Sequence, residues 1–105
     1  MSNLDADTKK AIEKSNVFLV VITKNWVQEP LRIQELEYAK NIGKPIVVVV
    51  FDDVDPEPYL KDAKVIALRR FDRKWFESNP SLVQTSILDL VAEVKEKLER
   101  EAKRA

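Results

Sequence analysis

Glu35 is the residue whose type and place most invite chemistry. On a 3.6-residue wheel through Leu31–Ile42, Leu31, Ala39 and Ile42 share one face, with Leu36 and Tyr38 at its margins. Glu35 falls in the middle of that face, while Gln34, Glu37 and Asn41 lie opposite. A carboxylate among apolar neighbours is costly unless it is paired, hydrogen-bonded or open to a cleft. One reading pairs it with Arg32, one turn earlier. The other points it at a ligand, because the second turn of this helix lies near the carboxyl ends of the strands, where open α/β sheets bind small molecules.

Three further groups carry weaker signals. Asp52, Asp53 and Asp55 follow a strand and could hold Mg²⁺. Pro56 favours instead a turn with Asp55 as a helix cap. Arg69, Arg70 and Arg73 with Trp75 could form an anion site or a partner surface. The plainer alternative is a solvated loop paired with the acidic one. Trp26 could stack on a planar ligand or pack over a helix start.

Absences narrow the chemistry further. The chain has 105 residues, with no Cys, no His and a single glycine, Gly43. That removes thiolate nucleophiles, Cys-based zinc sites, the usual acid–base side chain and glycine-rich phosphate loops. Eighteen basic residues balance eighteen acidic ones, so no charge excess points to nucleic acid or to an anionic membrane. The apolar runs fall far short of the roughly 20 residues of a membrane helix, and Met1–Asp7 lacks the shape of a signal peptide. These features lead to an expected cytoplasmic protein with no bound metal or resident cofactor.

The elements that must position these residues centre on Val17–Phe51. Val17–Thr23 and Pro45–Phe51 are apolar without alternation, as in parallel strands covered on both faces. Between them, Glu29–Ile42 reads as a helix, with Pro30 in its first turn and Gly43 ending it. A helix over Asp5–Ser15, capped by Asp5 or Asp7, precedes this unit. After it come a loop at Asp52–Pro58 with a turn of helix over Glu57–Lys61, a third strand at Lys64–Leu68 and an exit loop through Phe76. Asn79 then caps a last helix whose stripe is Val83, Ile87, Leu90, Val91, Val94 and Leu98. Residues 94–105 read as its solvated, frayed end.

The fold class is therefore α/β, a single domain. It is a small flavodoxin-like three-layer sandwich of about three parallel strands flanked by helices, with the four-valine strand in the middle. Val17–Thr23 then forms an uncharged edge. Such an edge invites pairing with another chain, so a homodimer through it is expected.

The run Ala11-Ile-Glu-Lys-Ser15, the strand closing on Thr23-Lys-Asn25, the helix carrying Glu35-Leu36 and the strand opening at Pro45-Ile46 together resemble the central part of a Toll/interleukin-1 receptor (TIR) domain. The resemblance implies a TIR-like sandwich and a signalling module that contacts other TIR-like domains. In enzymatic members a glutamate on this helix cleaves the nicotinamide–ribose bond of NAD, and Glu35 stands at the matching position. There it could hydrogen-bond ribose hydroxyls and stabilise an oxocarbenium-like centre. Asn25 and Trp26 would then be nucleotide contacts, with NAD a substrate and not a resident cofactor. Set against a full domain of that family, the chain begins at the helix of the Ala11–Ser15 phrase. The strand, helix and strand that usually precede it are missing, with the loop of TIR–TIR contacts and part of the nucleotide-pocket wall. The expectation is thus a fragment or a shortened relative that self-associates and is not catalytic, with NAD cleavage by Glu35 as the alternative.

Overall fold

The computed structural model describes residues 5–104. Three strands form one parallel sheet in the order β1-β2-β3, with β1 at Phe18–Ile22, β2 at Ile46–Val50 and β3 at Val65–Arg70. The helices are α1 (Ala6–Lys14), α2 (Pro30–Asn41), α3 (Glu57–Leu60), α4 (Arg73–Ser78) and α5 (Pro80–Arg104); a 3-10 turn spans Trp26–Gln28. The expected α/β sandwich and its central valine strand are both present.

Local chemistry explains the boundaries. Asp5 accepts the Thr8 N–H at 2.7 Å and starts α1. Pro30 occupies the first turn of α2, where a missing N–H costs nothing. Gly43, at φ +72°, closes α2 in a Schellman arrangement: its N–H reaches the Lys40 carbonyl and the Lys44 N–H reaches that of Ala39, each at 3.0 Å. Lys44 Nζ then donates to the carbonyls of Glu13 and Ser15, at 2.9 and 2.7 Å, and satisfies the open end of α1.

β2 is buried along its whole length, between two cores. On one face Ile46, Val48 and Val50 pack with Val20 and Ile22 of β1, Ile12 of α1, Leu36 and Ala39 of α2, and Trp26. On the other, Val47 and Val49 pack with Ala67 of β3 and Leu90 of α5.

β1 departs from the expectation of two covered faces. Val20 and Ile22 are buried, but Leu19 and Val21 are exposed. The long helix on that side, α5, packs mainly on β3 and covers β1 only in part. The α2 wheel is also corrected. Leu36 and Ala39 are the buried residues of the helix, while Leu31 (53% exposed) and Ile42 (42%) face out. The α5 stripe divides in the same way, with Leu90 buried and Ile87 and Val91 exposed.

β3 runs two residues further than expected, taking in Arg69 and Arg70, and the expected exit loop contains α4. Asp72 accounts for α4 by accepting the backbone N–H groups of Lys74 and Trp75. The expected Asn79 cap holds its place just before α5, but its side-chain amide donates backward to the Trp75 carbonyl at 2.9 Å. Beyond Val94, α5 stays helical through Arg104, with Lys97 donating to the Ile66 carbonyl and Glu101 paired with Lys64 at 3.2 Å.

Candidate functional site

Glu35 lies on α2 with its side chain 20% exposed. Arg32 Nη1 donates to its Oε1 at 3.2 Å, while Arg32 Nε lies 3.5 Å from Glu29. The pairing with Arg32 is therefore present. Glu35 also lines a cavity of about 330 Å³ against the open side of β1, together with Phe18, Leu19, Trp26 and Arg32. The carboxylate thus has one cationic partner and one accessible side, an arrangement that can accept hydrogen bonds from hydroxyl groups of a ligand.

Trp26 is brought to the same cavity, but as a core residue. Its backbone N–H donates to Thr23 Oγ1 at 3.1 Å, which tightens the strand exit. The ring meets Tyr59 edge to face, with centroids 5.1 Å apart. Asn25 is exposed at the start of the 3-10 turn, and only its carbonyl is engaged, by the Gln28 N–H at 3.1 Å. It does not border the Glu35 cavity.

The acidic loop and the arginines converge in part. Asp52 accepts from Arg73 Nε at 2.9 Å and Nη2 at 3.2 Å, a two-point grip across two strand exits. That bond, joined by the Lys24 N–H, holds its carboxyl below the ordinary carboxylate range. Asp55 accepts the Glu57 N–H at 3.1 Å ahead of α3, the turn-and-cap alternative. Among the described residues, no group of three or more acids could hold a metal ion. Arg69 leaves the cluster altogether, pairing with Glu93 of α5 at 2.8 Å on the other side of the sheet. Trp75 is half-exposed and packs against Phe76.

Sequence reasoning missed one surface. A groove of about 500 Å³ runs between β1 and α5, floored by Leu19 and Val21 and walled by Ile87, Val91 and Leu98, with Phe76 near one end. Beside it, β1 has no strand partner on its outer edge among the described residues. The signal available was the width of the sheet. Three strands offer more face than one long helix can cover, even where the strand sequence reads as wholly buried.

The family model described as "TIR domain" matches residues 1–79, which takes in every described element from α1 to α4. No curated protein and no solved structure gives a significant match. Among the described residues no helix is long and apolar enough to cross a membrane.

Proposed function

Because the chain belongs to the TIR domain family, whose members are signalling and protein-interaction modules, we propose that it acts by self-association through the open side of β1. The observation that carries this reading is a coincidence of two features. Among the described residues the outer edge of β1 is unpaired and uncharged, and the groove beside it exposes Leu19, Val21, Ile87 and Val91. An uncharged free edge is a template for pairing, and an apolar patch alongside it marks an association surface. The partner is a second copy of the chain, or another TIR-like domain presenting a comparable edge. Light scattering over a dilution series is the test. A dimer that dissociates on dilution is expected; a strict monomer at high concentration sinks the proposal.

A second reading rests on the placement of Glu35. The carboxylate lines a cavity with Trp26 on the same open side of β1, so a second copy docked there would add wall to it. In this reading the assembled protein cleaves the nicotinamide–ribose bond of NAD, with Glu35 stabilising the developing positive charge on the ribose. At about 330 Å³ the cavity is at the lower end of small-molecule sites, which is why the added wall is needed. Nicotinamide release that vanishes in Glu35→Ala, with the fold kept, is expected under this reading. No release from concentrated, folded protein eliminates it.

A further inference from the structure

A second cavity opens where all three strands end. It measures about 640 Å³ and shares no residue with the Glu35 cavity. Lys24 comes from the exit of β1, Asp52 and Asp53 from that of β2, Arg70 from the end of β3, and Arg73 and Lys74 from α4. Asp52 ties these segments together. Its backbone sits at φ +64°, a conformation that L side chains adopt rarely and that recurs at functional sites. Its carboxylate accepts from the Lys24 N–H at 3.4 Å and from Arg73, and its carbonyl accepts from Arg70 Nη1 at 3.4 Å. Arg70 Nη1 also reaches the Val54 carbonyl at 3.1 Å.

The acceptors here are largely spent and the donors are not. Asp52 is neutralised by Arg73, and Asp72 is committed to the start of α4. Among the described residues the ammonium groups of Lys24 and Lys74 make no hydrogen bond, although Lys24 lies in the field of the Asp52 carboxylate, and Arg70 uses only one of its nitrogens. Asp53 lines the cavity without a hydrogen bond among the described residues, and Glu77 adds a second negative charge near Arg73. A site with unspent N–H donors and occupied carboxylates selects an anion over a metal ion. Its cations stand on both sides of β2, across two inter-strand spacings or roughly 10 Å. Gripping from both sides suits two linked phosphate groups better than one.

We propose that this cavity binds a small diphosphate-type polyanion, held by Lys24 from one side and by Arg70 and Lys74 from the other. The Asp52–Arg73 pair fixes the loops that carry them. Neither the self-association surface nor Glu35 is involved.

The test is isothermal titration of the full chain with inorganic pyrophosphate and, separately, inorganic phosphate, at matched low ionic strength. Saturable pyrophosphate binding, tighter than phosphate, is expected. The double substitution Lys24→Gln/Lys74→Gln should weaken it roughly tenfold or more at an unchanged melting temperature. Lys10→Gln/Lys14→Gln on α1, which removes the same charge elsewhere, should leave binding as it was. No saturable binding at millimolar pyrophosphate, equal affinity for the two anions, or equal weakening by the two double substitutions would each overturn the assignment.

Discussion

Val21→Lys separates the stability of the single chain from its association. Val21 faces the groove and is 42% exposed, so somewhat over half of its surface is already covered within one copy. Full burial of a valine stabilises by about 1.5 kcal/mol, so the substitution costs the monomer about 1 kcal/mol at most. The lysine stem lies along the same apolar floor and recovers part of this. The melting temperature should fall by no more than about 4–8 °C. In a dimer the exposed remainder is buried twice, which is worth about 1.3 kcal/mol by the same rule, and the substitution forfeits it while placing two ammonium groups at one apolar interface. A factor of ten corresponds to about 1.4 kcal/mol, so the dissociation constant should rise roughly tenfold or more. Light scattering and thermal melts on the same samples read both quantities. Val65→Lys, at the start of β3 on the opposite edge of the sheet, is the comparison. If Val65→Lys dissociates the dimer and Val21→Lys leaves it intact, the assignment to β1 is wrong.

Other substitutions probe the scaffold. Leu36→Ala empties a fully buried position between α2 and the sheet and should cost about 2–5 kcal/mol in chemical denaturation; a cost under about 1 kcal/mol would contradict the packing. Gly43→Ala meets no atom within 4 Å, so its cost, about 1 kcal/mol, comes from the left-handed backbone alone, and Gly43→Asn should recover part of it. Asp52→Asn keeps a residue that tolerates positive φ but removes the charge facing Arg73. Because the folded-state pKa of Asp52 is lowered, its contribution is present above about pH 4 and is lost as pH falls through the folded value. The variant should therefore be less stable near neutrality and lose less on acidification, and parallel stability–pH curves would refute the pairing. Tyr38 donates to the Glu13 carboxylate, which raises its pKa. Its contribution persists up to about pH 10 and is lost above it, so Tyr38→Phe should flatten the alkaline limb.

Much of the architecture was legible in the sequence, because local rules and tertiary packing agree there. The uninterrupted apolar run of β2 matches a strand with two covered faces, and Asp5, Pro30 and Gly43 each meet a backbone requirement at a helix end. The family resemblance arose from phrases inside that same βαβ unit and in the helix before it. The misreadings of burial share one physical cause, namely that periodicity names an apolar face without saying whether anything lies against it. Leu19, Val21, Leu31, Ile42, Ile87 and Val91 all carry core-type side chains and all are exposed. For Glu35 the Arg32 pairing was legible from the spacing within one helix, but the cavity beside it depends on how α2 packs against β1. Arg69 and Arg70 follow the last residue of the expected strand, Leu68, and fall in the expected exit loop. In β3 they survive because side chains alternate across the sheet, sending Arg69 to Glu93 and Arg70 to the carbonyls of the acidic loop.

The position of β2 also sets a hazard during synthesis. Ile46–Val50 is five consecutive β-branched residues without a charge, protected on its two edges by different partners. β1 is already made when β2 emerges from the ribosome, but β3 and α5 are not. Until they arrive, one edge of β2 and the face bearing Val47 and Val49 stand open. A short, uncharged, strand-forming segment in that condition is what intermolecular sheet nucleation requires. Slowing synthesis of the last third of the chain should therefore lower the soluble yield more than any comparable change in the stability of the finished fold.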